Sequence, residues 1–275
     1  MNEIVTNITL RKAQVSAEQL NFVKSHKKYH FTITLSRWII LFLFLFLWEI
    51  STDLKWIDGF FFSSPKRVFL CLYKLFVEQE LFLHCGITLF ETLISFFLVT
   101  FMSIFIATML WYSQKMADIL EPFLVILNSL PKSALAPLFI VWLGTGMKTI
   151  IVAGISVALF GSIISLYTGF KQIDKEEMKL IYTLQGTKKD VLTKVVIPGS
   201  VPLLLSSMKV NIGLALVGVV IGEFLSARRG LGYLIIYGSQ VFQLDLVITS
   251  IIILCVIAMG LYLCIQYLEH YYKKL

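Results

Sequence analysis

The side chains in this chain that could do chemistry are few, and several are polar or ionisable groups set inside long apolar runs. Lys132 follows Pro131 and sits near Asn128 and Ser133 in a stretch otherwise rich in Leu, Ile, Val and Phe. Proline inside a span frees backbone carbonyls, and an ionisable group at such depth is costly enough to be a functional candidate. A cation and freed polar backbone could together meet a small anion. The competing reading is that Lys132 reaches an interface or closes onto a neighbouring carbonyl. Glu91, Lys209 and Asn211 are weaker candidates of the same kind. The candidate pathway set is therefore Asn128, Pro131, Lys132, Ser133, Lys209 and Asn211.

Catalysis finds less support. Glu49, Glu91 and His84 could be imagined as catalytic groups, but no nucleophile elbow, paired acidic motif or metal-ligand spacing accompanies them. His26, His30, His84 and His270 are scattered, so no metal site is expected. Cys71, Cys85, Cys255 and Cys264 show no CxxC pairing, and the last two lie in an apolar run where cysteine behaves as a small hydrophobe. No GxxxxGK[ST] loop is present to cradle phosphates, so the chain is not expected to hydrolyse ATP itself. It is read as a non-enzyme without a cofactor.

Apolar residues make up 57% of the 275 and charged residues 15%, more apolar surface than a soluble fold could hide. The net charge of +7 belongs to no compact basic domain, which argues against a nucleic-acid partner. The expectation is an all-helical polytopic membrane protein with about six spans: Leu35–Ile50, Gly86–Trp111, Pro122–Leu143 broken by Pro131 and Pro137, then about 148–170, 201–224 and 246–268. The first thirty residues are polar and basic, so the first span is expected to be retained as an anchor rather than cleaved. The expected organisation is a tail at 1–30, a first span with an external connection at 31–85, a core at 86–270 and a tail at 271–275. With both termini cytoplasmic, the inside pieces carry fourteen Lys and Arg and the outside pieces seven, in keeping with the positive-inside rule.

One polar stretch, Lys171–Pro198, interrupts this pattern. Asp174 with Glu177 has the form of a helix cap, Met178, Ile181 and Leu184 recur at helical spacing, and Gly186 is suited to a left-handed helix end. Thr187 and Asp190 have the spacing of a second cap, Val191, Leu192, Val195 and Val196 form one stripe, and Pro198 is expected to force a break. The pattern predicts a helix-turn-helix along a membrane surface. It could rest in the headgroups with its lysines facing anionic lipid, or it could be a rigid knob that docks a soluble partner.

The position and residues of this hairpin resemble those of the permease subunits of binding-protein-dependent ATP-binding-cassette importers, in the branch that carries nitrate, sulfonates, taurine and some thiamine precursors. That family's motif is an EAA triplet, three residues, Gly, nine residues, then Ile, any residue, Leu and Pro. Here nine residues, Gly186 to Lys194, precede Val195-Val196-Ile197-Pro198, but Lys179-Leu180-Ile181 stands at the EAA positions and Gln185 at the Gly position. The turn is accordingly expected one residue late, at Gly186. The resemblance extends over roughly residues 60 to 270 through Ser63-Ser64-Pro65, Leu130-Pro131, Ala136-Pro137-Leu138, Trp142-Leu143-Gly144-Thr145-Gly146, Gly222-Glu223-Phe224 and Ala227 to Ile235.

The resemblance implies the type I importer permease fold in a prokaryotic cytoplasmic membrane. It also implies a separate ATPase subunit docked on the hairpin, an extracellular or periplasmic solute-binding protein, and a homodimer surrounded by membrane lipid. The docking set it implies is Met178, Lys179, Leu180, Ile181, Leu184, Gln185, Gly186, Thr187, Lys188, Val191, Val195 and Pro198, with Met178, Ile181, Leu184, Val191 and Val195 filling the partner's groove and Lys188 and Lys189 at its rim. Arg228 and Arg229 are read as a snorkelling pair or ion-pair partners of Glu223, or else as part of the external surface that meets substrate. The alternative function is a stand-alone secondary transporter with no ATPase.

Overall fold

Long apolar stretches fold as helices because, away from water, each backbone N–H and C=O must be satisfied within its own segment. The computed structural model describes residues 17–78 and 80–272, and every regular element among them is helical. Arg11 and Lys12 of the N-terminal tail, and Lys273 and Lys274, lie outside the described residues.

The chain divides into two compact units, Met1–Lys66 and Arg67–Leu275. In the first, α1 (Ala17–Asp53) carries the first span, Phe31–Asp53, with Phe42, Phe44 and Phe46 turned outward as on a lipid-facing helix. A short α2 (Gly59–Phe62) follows, capped by Asp58, whose side chain accepts from the Phe60 N–H at 2.8 Å. Ser63 and Ser64 are buried, and the Thr52 hydroxyl donates to the Ser63 carbonyl at 3.2 Å. Glu49 accepts from the Lys66 N–H at 3.0 Å, so this acid caps the start of α3 (Pro65–Val77).

The second unit contains α4 (Glu80–Tyr112), α5 (Gln114–Ser129), α6 (Lys132–Leu143), α7 (Met147–Lys171), α8 (Lys175–Thr183), α9 (Lys188–Val191), α10 (Ile197–Ser226), α11 (Leu231–Gln240) and α12 (Leu244–Tyr272). Among the described residues, five helices are long and apolar enough to cross a membrane, and α5 with α6 makes a sixth when counted as one span bent by 96°.

Here the structure departs from the expectation for the third span. Its helix begins at Gln114, ahead of the expected start at Pro122, with the Ser113 side chain accepting from the Met116 N–H at 3.3 Å. Pro122 and Pro137 are carried inside helices, and the break falls at Pro131 alone. The residue before a proline is pushed toward extended backbone, and Leu130, with ψ 138°, ends α5 for that reason. After α10 the chain becomes helical again at Leu231, in α11.

The centre of this unit is α7, packed between α4 and α10. Small residues let α7 and α10 approach closely, since a Cβ on Gly218 would lie 2.8 Å from the Ala153 carbonyl oxygen and the Gly154 Cα. Polar side chains fix the register. The Asn211 amide donates to Ser162 Oγ at 2.8 Å, joining α10 to α7, and Lys209 of α10 pairs with Glu269 of α12.

Candidate functional site

The hairpin that follows α7 is built by its caps. Asp174 accepts from the Glu176 N–H at 2.8 Å to start α8. Thr187 and Asp190 form a reciprocal capping box at α9, with the Thr187 N–H donating to Asp190 at 2.8 Å and the Asp190 N–H to Thr187 Oγ1 at 3.3 Å. Between them, the Gln185 N–H bonds the Tyr182 carbonyl at 3.0 Å and the Gly186 N–H the Ile181 carbonyl at 2.9 Å, the paired bonds of a Schellman turn.

The left-handed residue of that turn is Gln185, with φ +59°, and not Gly186. The turn therefore falls where the family motif has its glycine and is not displaced by one residue. Gly186 serves a different need: a Cβ there would lie 2.8 Å from the Ile181 carbonyl oxygen, so the chain passes too close to α8 for any side chain.

Pro198 does not break the chain either. From α9 the backbone runs through a π turn, Leu192–Val196, straight into α10, with the Ile197 N–H bonded to the Leu192 carbonyl five residues back. The widened turn lies just ahead of Pro198, which needs no donor of its own in the first turn of α10.

Burial separates the predicted docking residues into two faces. Val191 and Val196 are fully buried, and with Leu192 they join a core that includes Leu110 and Leu166; Met178, Ile181 and Trp111 pack against it. Val195 is half-buried. Val191 is thus unavailable to a partner, and Met178 and Ile181 face the bundle. The outward apolar face consists of Leu180 (59% exposed), Leu184 (71%) and Tyr182, with Lys179 and Gln185 exposed beside them. Lys188 stands over the Trp111 and Tyr112 rings at 5.6 and 5.3 Å, tying the second helix to the end of α4. Thr187 and Pro198 are also exposed. The stripe that could have lain in headgroups is consumed by protein, so the hairpin is held rigidly by the bundle.

The corner between α5 and α6 packs halfway along α7. A Cβ on Gly161 would lie 3.2 Å from Asn128 Oδ1, and Lys132 Nζ stands 5.6 Å from the Phe160 ring centroid. Lys132 Nζ donates to the Asn128 carbonyl at 3.0 Å and to the Leu127 carbonyl, neutralising the negative end of α5. Pro131 and Ser133 are exposed at the same corner. Lys209 and Asn211 are not brought to it, being engaged by Glu269 and Ser162.

At the opposite end of α10, residues 230–232 meet a cluster of buried side chains. His84 Nδ1 lies 2.9 Å from the Gly230 nitrogen and 3.1 Å from the Gly230 carbonyl oxygen, bonding one or the other according to its tautomer, while the Leu231 N–H donates to Thr88 Oγ1 at 2.9 Å and the Gly232 N–H to Glu223 Oε2 at 2.5 Å. Thr88 in turn donates to Glu223 Oε1 at 2.7 Å, and Glu91, on the same helix as Thr88, is buried as well. Arg228 and Arg229 are exposed, and the Glu223 carboxylate is taken by Thr88 and Gly232 in place of the ion pair considered for them. Sequence reasoning had no signal for His84 or Thr88, whose partners are backbone groups far along the chain.

Comparison with known proteins agrees with this architecture. Residues 88–274 match the family model described as binding-protein-dependent transport system inner membrane component. A Haemophilus influenzae protein described as a "Probable ABC transporter permease protein" is 30% identical over 233 residues, covering 84% of this chain and 94% of its own length. The taurine transport system permease protein TauC of Escherichia coli is 25% identical, covering 86% and 88%. Among solved structures, a chain of the methionine ABC transporter MetNI in an inward facing conformation superposes with a TM-score of 0.62 at 16% identity, covering 71% of this chain and 97% of that one.

Proposed function

From the premise that the chain belongs to the binding-protein-dependent transport system inner membrane component family, we propose that it is the permease subunit of an ATP-binding-cassette importer for a small solute. The solute is a sulfonate, a nitrate- or taurine-like anion, or a vitamin precursor. The observation that carries the reading is the hairpin: a doubly capped helix pair, locked into the bundle core on one side, that turns Leu180, Tyr182 and Leu184 outward on the other. Such a knob can fill a groove on a separate ATPase and pass that partner's movement directly to α10. The hairpin and both termini are cytoplasmic in this reading, as the Lys and Arg distribution favours. The opposite end of α10, with Arg228 and Arg229, then faces a solute-binding protein outside. Two copies enclose the pathway, which passes the polar corner at Asn128, Pro131, Lys132 and Ser133; Lys209 and Asn211 hold helices together beside it.

The test is uptake into proteoliposomes. The chain reconstituted with its ATPase and binding protein accumulates solute only with ATP inside the ATPase compartment. Uptake by the chain alone, driven by an ion gradient, would instead establish the stand-alone secondary transporter.

A further inference from the structure

α3 is too short to cross a membrane and too apolar on its outer side to lie in water. Its 13 residues rise about 20 Å, against a hydrocarbon core of about 30 Å. From Arg67 onward it belongs to the second unit, and spacing sorts its side chains onto three faces. Val68, Cys71, Leu72 and Leu75, three or four residues apart, form the stripe that meets the bundle. Val68 and Leu75 are buried, Leu75 and Cys71 join a core with Leu231, Leu234 and Leu246, and the Thr249 hydroxyl lies 3.4 Å from the Val68 carbonyl oxygen. Arg67 and Lys74, two turns apart, form an exposed polar ridge that Glu78 continues. The remaining face is apolar and open: Phe69 is 68% exposed and Tyr73 61%, with Leu70, Phe76 and Val77 beside them. A helix on a soluble surface has one apolar face; this one has a second, which needs an apolar surrounding of its own.

What covers that second face follows from its continuation. The Phe76 ring lies 5.5 Å, centroid to centroid, from the ring of Phe82 at the start of α4. Phe82 leads a row of Phe90, Phe97 and Phe101, all more than half exposed, on a helix long and apolar enough to span a membrane. Such a row on a spanning helix faces acyl chains. The open face of α3 is the end of the same surface, turned through the corner between the two helices. Its chemistry agrees. The one polar atom among its five side chains is the Tyr73 hydroxyl, whereas a surface built for a protein carries hydrogen-bonding groups throughout. A tyrosine at the edge of a bilayer keeps its ring in hydrocarbon and its hydroxyl among the headgroups. Lys66, in the first turn beside this face, is exposed and has an aliphatic stem long enough to carry its ammonium out to the same depth.

We infer that α3 is an interfacial helix seated in the phospholipid surface. Phe69, Leu70, Tyr73, Phe76 and Val77 lie among the acyl chains, and the ridge of Arg67 and Lys74 lies at the depth of the headgroup phosphates. Through Val68 and Leu75 the helix then ties α11 and the start of α12 to the plane of the membrane. The leaflet, the outer one in the orientation proposed above, rests on that reading. The seating in lipid rests only on α4 spanning a membrane.

The experiment uses the full chain in nanodiscs of phosphatidylcholine and phosphatidylglycerol, with its four cysteines replaced by alanine. A nitroxide is attached singly at Phe69→Cys, Phe76→Cys and Lys74→Cys. Power-saturation electron paramagnetic resonance then compares relaxation by oxygen, which concentrates in hydrocarbon, with relaxation by a water-soluble nickel chelate. The expected result is a severalfold excess of oxygen over nickel accessibility at positions 69 and 76, and the reverse order at 74. A nickel excess at 69 and 76 would put the face in water. Labels there reached by neither reagent would put it against protein, a second copy or another segment of this chain. Either result overturns the inference. The unsubstituted chain gives an independent reading: a phospholipid with a photoactivatable diazirine in its acyl chain should leave adducts, located by mass spectrometry, within residues 69–77 as well as on the outward face of α4. Adducts on α4 with none on 69–77 would overturn the inference too. Neither measurement involves an ATPase, a binding protein or a solute, so failure here leaves the proposed function standing.

Discussion

Gln185 holds a backbone conformation that costs an L-residue about 1 kcal/mol, because its Cβ crowds the neighbouring carbonyl. Replacing it with glycine should steady the hairpin by up to about 1 kcal/mol, read as slower hydrogen exchange of the Gly186 and Leu184 amides; faster exchange would contradict the Schellman assignment. Gly186→Val should do the opposite, since its side chain meets the Ile181 carbonyl. Thr187→Ala removes the capping box and should cost about 1 kcal/mol in the same measurement. The capping box was legible in the sequence because its two members lie three residues apart and the bonds are local. The position of the left-handed residue was not: a glycine next to a helix end draws the assignment to itself, while the turn's hydrogen bonds require the residue before it.

At the scale of elements, the hairpin's two faces answer to different tests. Leu180 and Leu184 are exposed, so Leu180→Asp with Leu184→Asp should leave the bundle's thermal stability unchanged while abolishing docking. Burial of two leucines in a groove is worth about 3–6 kcal/mol, enough to decide whether a complex survives purification. Val191→Asp puts an unpaired charge in the core and should prevent accumulation of folded chain. The sequence pattern merged these faces because Met178, Ile181 and Leu184 are spaced by three, and three residues fall short of a helical turn; by Leu184 the stripe has rotated off the bundle and the helix has ended. The ion pair of Lys209 with Glu269 gives a second element-scale test. Lys209→Met alone should lower the unfolding temperature by taking this cation from the Glu269 carboxylate, whereas Lys209→Met with Glu269→Leu should be nearly neutral in thermal unfolding. Equal losses in both would mean that the pair does not hold α10 to α12.

For the whole molecule, span number and helical class were legible because a membrane leaves helices as the way to satisfy backbone, and twenty apolar residues in a row announce one. Contacts that join distant segments carried no local signal. His84 and Thr88 hold the start of α11 from α4, and nothing near them in sequence foretells it. Lys132 illustrates the same limit: its setting in an apolar run marked it as costly, and the structure meets that cost with the end of its own preceding helix. A Lys132→Met variant should therefore weaken the corner, and solute uptake with it. Normal uptake in that variant would remove the corner from the pathway.

The central claim is that this chain works through an ATPase seated on Leu180 and Leu184. The most direct test is purification of the tagged chain from native membranes in mild detergent, with the copurifying proteins identified by mass spectrometry, alongside the Leu180→Asp, Leu184→Asp double variant. The account predicts a P-loop ATPase with the wild-type chain and its absence from the equally stable variant. An ATPase retained by the variant, or none with either chain, would contradict it.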